Sequence, residues 1–314
     1  MAHELPAGRA GLLPLGDDAA ALGAPAGKVA VLSIDTLVEG THFLRDSPPF
    51  RVGSAAAAVS LSDLAAKGAR PAALLLALVV PPGTPQAWAE SVTRGAERMS
   101  ARFGMELVGG DTKPGPVRTV VSSVLGWGQE GALAPRSGAI VGDLLATTGQ
   151  VGRGGAAAAL LGRTKRPDRR TLSAMLEVNP RVREGSVLVR WAHAMLDTSD
   201  GLAEASRLLA DAGRVRVEVV EEKLPLAVAL RDPALSTSQR RRRVFYGGDY
   251  ELLVALPGRS FPAAQRAVRA VGGRLTAIGR VARGRGAWLE QRGTLRPMPA
   301  AGWRPFARRN QRLG

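Results

Sequence analysis

The stretch 72–80 is an unbroken apolar run closed by Pro81 and Pro82, and it constrains the fold more than any other segment. It is far too short to cross a bilayer, which takes about 20 apolar residues, and it suits a buried strand. Helical patterns flank it. Residues 50–67 are alanine-rich and end at Gly68, a suitable C-cap. Residues 85–103 place Trp88, Val92 and Met99 on one side of a helix. Further strands are predicted over 29–34, ending at Asp35, over 105–108, running into Gly109-Gly110-Asp111, and over 117–125. This alternation is an α/β or α+β pattern.

A second unit begins near Ser137. It opens with a strand over 143–148, a glycine loop over 149–155 and a helix over 156–161. A short helix over 172–177 is broken by Asn179-Pro180. A strand end over 194–197, a helix over 201–212, a strand over 216–220 and a polar, basic loop over 236–243 follow. The length of 314 residues favours two domains, placed at 1–136 and 137–314. With 45% hydrophobic but only 4% aromatic residues, the cores must be filled by Ala, Val and Leu.

The chain has no cysteine, which excludes disulfides, thiolate catalysis and iron–sulfur or cysteine–zinc sites. Its three histidines, His3, His42 and His193, are too few for a multi-histidine metal centre. The formal charge of +16 raises a nucleic acid as partner. The basic residues are scattered and almost all arginine, however, so neither nucleic acid nor membrane is the expected partner. No leader pattern is visible, and a cytoplasmic protein is expected.

The chemistry lies in the acids. Asp17, Asp18, Asp35, Asp63, Asp111, Asp197 and Asp200 each stand at the end of an apolar segment or beside Gly, Ser or Thr. Such positions suit helix caps and turns. They also bring carboxylates to the rim of a core, where a hard cation such as magnesium can gather them around a phosphate. There is no P-loop and no protein-kinase motif set. Gly126-Trp127-Gly128-Gln129-Glu130-Gly131 matches G-x-G-x-x-G but leads into a poor helix start. The loop 149–155 is better placed to offer backbone N–H groups to phosphate, or is simply a turn. Arg136 and Arg181 are candidate phosphate clamps.

Longer motifs carry a family resemblance. Gly16-Asp17-Asp18-Ala19-Ala20 comes first. Ser33-Ile34-Asp35-Thr36-Leu37-Val38-Glu39-Gly40-Thr41-His42-Phe43 and Val59-Ser60-Leu61-Ser62-Asp63-Leu64-Ala65-Ala66-Lys67-Gly68-Ala69 follow. Then come Gly109-Gly110-Asp111-Thr112, Pro135-Arg136-Ser137-Gly138-Ala139, Asp197-Thr198-Ser199-Asp200-Gly201-Leu202 and Gly248-Asp249-Tyr250-Glu251-Leu252-Leu253. In order and spacing this set resembles the thiamine-monophosphate kinase family, over about Gly16 to Phe306.

The resemblance implies an α+β, two-domain PurM-like fold whose N-terminal mixed sheet forms a homodimer. It implies ATP-dependent phosphorylation of thiamine monophosphate to thiamine diphosphate, with Mg2+. Asp18, Ser33, Ile34 through its backbone, Asp35, Asp63, Asp111, Asp197 and Asp200 match the family's metal ligands. Asp63, Asp111 and Asp200 are the expected catalytic carboxylates. Gly110, Asp111, Arg136 and Ser199 match ATP contacts, and His42 and Trp303 substrate contacts. Three departures stand out. Gly248 replaces a substrate-contacting glutamate, the segment ahead of Gly16 lacks the family's Phe-x-x-Ile pattern, and the C-terminal motif reads Gly302-Trp303-Arg304-Pro305-Phe306. A paralogue with another small acceptor, or a non-catalytic anion- or nucleic-acid-binding protein, are the rival expectations.

Overall fold

A computed structural model describes residues 24–161 and 167–302. The chain divides into two compact units. One takes residues up to Leu64, Ala69–Gly131 and Asp168–Asn179; the other takes Ala65–Gly68, Ala132–Pro167 and the chain from Pro180 onward.

The first unit runs β1 (Lys28–Val38), α1 (Pro49–Ala66), β2 (Arg70–Val80), α2 (Gln86–Ala101), β3 (Glu106–Pro114) and β4 (Thr119–Gln129). Its mixed sheet has the order β1-β4-β2-β3, with β2 and β3 parallel and the other pairs antiparallel. The apolar run 72–80 lies inside β2, paired on both edges. One face of the sheet is covered. Ser60 Oγ of α1 donates to Ser122 O of β4 at 3.1 Å, and Ser122 Oγ donates to Ala56 O at 2.6 Å. The polar pair thereby ties the alanine-rich helix to the strand beneath it. Helices α1 and α2 cross at glycines: a methyl group on Gly53 would fall 1.8 Å from Val92 O, and one on Gly95 2.0 Å from Phe50 O. Trp88, Val92 and Met99 are buried, as their spacing predicts.

The opposite face of this sheet is apolar and open in the single chain. Leu32 is 70% exposed, Ile34 66% and Leu75 45%. Strand register aligns Leu32 with Leu125 and Ala73, and Ile34 with Ser123 and Leu75.

The second unit contains β5 (Asp143–Thr148), α3 (Arg153–Leu161), α5 (Val182–Leu188), β6 (Ala194–Asp197), α6 (Leu202–Gly213) and β7 (Arg216–Val220). It continues with α7 (Thr237–Val244), β8 (Leu252–Pro257), α8 (Phe261–Ala270), β9 (Leu275–Ala282), β10 (Gly286–Gln291) and β11 (Thr294–Pro297), while α4 (Arg169–Met175) counts with the first unit. The sheet order is β11-β10-β7-β9-β5-β8-β6, and only β10 and β7 run parallel. Leu145, Leu196, Leu202, Leu209, Val217, Phe245 and Ile278 fill its core.

Three local expectations change. The basic segment 236–243 is largely helix α7, with a capping box: Ser236 Oγ accepts from Gln239 N at 3.2 Å and Gln239 Oε1 from Ser236 N at 3.0 Å. Strand β1 continues through Asp35 to Val38, and β3 through Gly109-Gly110-Asp111 to Pro114. Gly126-Trp127-Gly128 lies within β4 and forms no phosphate loop, as its poor helix start implies.

Candidate active site

In the first unit, alternation along β1 sends Ser33 and Asp35 to the face that α1 covers, because they pair with Val124 and Ser122. Ile34 points to the open face. The Ser33 hydroxyl donates to the Asp63 carboxylate of α1, joining residues 30 apart in the chain. Both side chains are half-buried. Just beyond β1 the chain turns back: Val38 N donates to His42 Nδ1 at 3.0 Å, while His42 N donates to Val38 O at 2.9 Å. Burial pushes the imidazole below its ordinary range. A neutral ring that accepts at Nδ1 carries its proton on Nε2.

Asp111 is placed differently. Its register opposite Ala77 puts it on the open face with Leu75, away from Ser33 and Asp35. Its carboxylate accepts from Thr112 N at 2.8 Å and pairs with Lys113 at 3.2 Å, with the side chain 59% exposed. Gly110 is demanded by the strand pairing itself, since a methyl group there would lie 2.1 Å from Leu76 O. Among the described residues no three His, Cys, Asp or Glu side chains are gathered closely enough to hold a metal. Asp18 and Trp303 lie outside the described residues.

In the second unit, Asp197 ends β6 and is buried, accepting from Ser199 Oγ at 2.9 Å. Asp200 precedes Gly201, which caps α6 at a φ of +96°. Arg207 of α6 donates to Pro299 O at 2.8 Å and Ala301 O at 2.6 Å, and Gly302 lies against Asp200. The chain leading to position 303 is thus held beside this loop. Arg136 sits exposed in a turn and makes no ion pair among the described residues.

Segment 247–251 backs the loop. Gly248 N donates to Ser199 O at 2.7 Å, Thr198 N to Glu251 O at 2.8 Å, and Glu251 N to Thr198 Oγ1 at 3.0 Å. The two acids of this segment explain the glycine loop. Gly152 N and Gly154 N donate to Asp249 at 2.6 and 2.9 Å, and Gln150 N to Glu251 at 3.2 Å. Those amides serve protein carboxylates, so the expectation that they receive phosphate gives way. Burial drives the Asp249 carboxyl up to about 7, against the two amides, which favour its ionised form. Arg181 likewise is no free clamp. Its fork holds Glu251 at 2.6 and 2.5 Å, and Nη1 reaches Glu184 at 3.3 Å. Apart from the neighbouring Arg181 and Glu184, these partners lie some 70 to 100 positions apart. The one sequence trace of them was the Gly-Asp-Tyr-Glu-Leu-Leu segment, which pattern alone left without a role.

Two consecutive domain families match the chain: AIR synthase related protein, N-terminal domain, over residues 16–129, and its C-terminal domain over residues 141–289. They define the class, and the α+β, two-domain PurM-like architecture agrees with it. The thiamine-monophosphate kinase of Synechococcus elongatus is 37% identical over 275 residues, covering 79% of this chain and 82% of the relative. The crystal structure of thiamine-monophosphate kinase from Stenotrophomonas maltophilia K279a aligns with a TM-score of 0.82 at 32% identity, over 91% of this chain and 93% of that one. AaThiL complexed with AMPPCP and TMP aligns at 0.77 and 27% identity, over 90% and 89%. The chain therefore belongs to the thiamine-monophosphate kinase family of AIR synthase related proteins.

Proposed function

We propose that the protein transfers the γ-phosphoryl group of ATP to the phosphate of thiamine monophosphate, giving thiamine diphosphate and ADP. The observation that carries this reading is the Ser33–Asp63 contact. It unites β1 and α1 at two of the positions where the family resemblance puts metal ligands, with Asp35 on the same strand face.

The donor set fits magnesium: serine hydroxyl and carboxylate oxygens, with no thiolate and no histidine. Ser33, Asp35, Asp63, Asp111, Asp197 and Asp200 would hold the ions, with Asp18 and the Ile34 backbone. Bound there, magnesium would neutralise the charge that builds on the transferring phosphoryl group. Arg136, exposed and without an ion-pair partner among the described residues, would take phosphate oxygens bidentately. Gly110 and Ser199 would also contact ATP. His42 would offer its Nε2 proton to the acceptor molecule, with Trp303 as a further contact. No general base is needed, because the acceptor phosphate is already anionic.

The open apolar face of the first sheet supports a homodimer, since a soluble monomer rarely leaves such a patch bare. Asp111 lies on that same face, so a second copy would bring its own residues to it. Domains divided at 136/137 and a cytoplasmic location complete the proposal.

Purified protein with magnesium, ATP and thiamine monophosphate is expected to release ADP and thiamine diphosphate in equal amounts. ATP binding without turnover would refute the acceptor. The absence of a side chain at Gly248 favours one second reading, a different small phosphorylated acceptor; a panel of such compounds, each tested for ADP release, decides between the two.

A further inference from the structure

We infer that Glu251 is a positioning residue. Locked by Arg181 and Thr148, it sets the conformation of the loop 197–201, on which the proposed metal and nucleotide contacts Asp197, Ser199 and Asp200 sit. The inference rests on the proposed role of that loop.

Within the loop, Ser199 Oγ donates to Asp197 and Gly201 N to Thr198 O at 3.0 Å. Three hydrogen bonds tie it to 247–251, and two of them use the backbone N–H and C=O of Glu251. Tyr250 in this segment holds a left-handed φ of +54°, which a non-glycine residue keeps only where surrounding contacts enforce it. Beside the two amides that hold Asp249, the Glu251 side chain supplies such contacts. Its carboxylate is buried and accepts from Thr148 Oγ1 at 2.7 Å, Gln150 N, and Arg181 Nε and Nη2. Thr148 Oγ1 in turn accepts from Leu252 N at 2.8 Å, closing the network onto β8. Four donors on one buried carboxylate leave it no capacity for a cation, so its influence on chemistry passes through the loop.

The test compares full-length wild type, Glu251→Gln and Thr198→Val. The first variant unbalances the buried network, and the second removes only the hydroxyl that receives Glu251 N. Hydrogen exchange in metal-free protein is expected to speed about tenfold at 198–201 in Thr198→Val, the ratio for one lost hydrogen bond, with β5 and β9 amides unchanged. Titration calorimetry with magnesium and a non-hydrolysable ATP analogue is expected to show about tenfold weaker binding. In turnover, kcat falls while KM for thiamine monophosphate holds. Exchange that stays at wild-type rates at 198–201, or rises evenly through the whole second unit, overturns the inference. Asp197→Asn serves as the control for the underlying reading. If it leaves magnesium affinity intact, the metal assignment fails, and the exchange data still judge the positioning role separately.

Discussion

Replacing Gly248 separates two consequences of one glycine. Its φ of +76° is left-handed backbone, which an L residue occupies at a cost of about 1–2 kcal/mol. Space is not the obstacle: an added Cβ meets only Gly154 Cα, at an ordinary 3.5 Å. Gly248→Ala therefore isolates the backbone cost, and Gly248→Glu adds the carboxylate that the family carries. Both variants are expected to melt about 2–6 °C below wild type, by the same amount within error, in scanning calorimetry. If the glycine marks a lost acceptor contact, kcat/KM for thiamine monophosphate should be about tenfold or more higher in Gly248→Glu than in Gly248→Ala. A hydrogen bond to a charged group is worth roughly that ratio. Equal kcat/KM in the two variants would refute the pocket argument, and an unchanged melting temperature in Gly248→Ala would refute the strain argument.

Asp63→Asn is expected to lower kcat about 100-fold, the usual cost of one electrostatic contact to the reacting group, with thermal unfolding close to wild type; loss of the fold instead would make Asp63 a purely structural acid. Leu32→Arg puts a charge on the open face of the first sheet, and light scattering is expected to find the wild type dimeric and the variant monomeric. Asp249 predicts a pH effect. Because its folded pKa of about 7 exceeds the ordinary 3.8, the folded state holds a proton that the unfolded chain has released, so stability falls as pH rises across that window and levels off above it. The drop is at most about 4 kcal/mol, and urea unfolding of Asp249→Asn between pH 4 and 8 should lack it.

Most strands were legible because apolar runs mark them, and 143–148, 194–197 and 216–220 lie where the pattern puts them. The failures have physical causes. Asp35 reads as a strand end because a carboxylate is costly in a sheet interior, yet β1 is an edge strand and leaves it half-exposed. Helix α7 was masked by Arg240-Arg241-Arg242-Arg243, which erase any apolar period. Its Ser236-x-x-Gln239 capping box was the available signal. The glycine loop read as either a phosphate cradle or a turn because composition shows that amides are free to donate without naming the acceptor. Asp249 and Glu251, about 100 positions away, are that acceptor.

The acids of this chain separate by how completely the protein itself satisfies them. Glu251 takes four donors, Asp249 two amides, Glu218 a hydrogen bond from Arg280 and an ion pair with Arg216 at 2.7 Å each, and Asp143 both Ile140 N and His193. All four are buried, where an unpaired carboxylate would be costly. Asp63 and Asp111 differ: one is half-buried against a serine hydroxyl, the other exposed beside a lysine. A carboxylate that retains exposure keeps coordination capacity for a cation, whereas a saturated one can act only by holding the backbone around it. The Gly-Asp-Tyr-Glu segment and the Asp-Thr-Ser-Asp-Gly loop, both family motifs, thus divide the work. The first consumes its charges internally to shape the second, in which Ser199 and Asp200 stay partly exposed while Asp197 is buried beneath them.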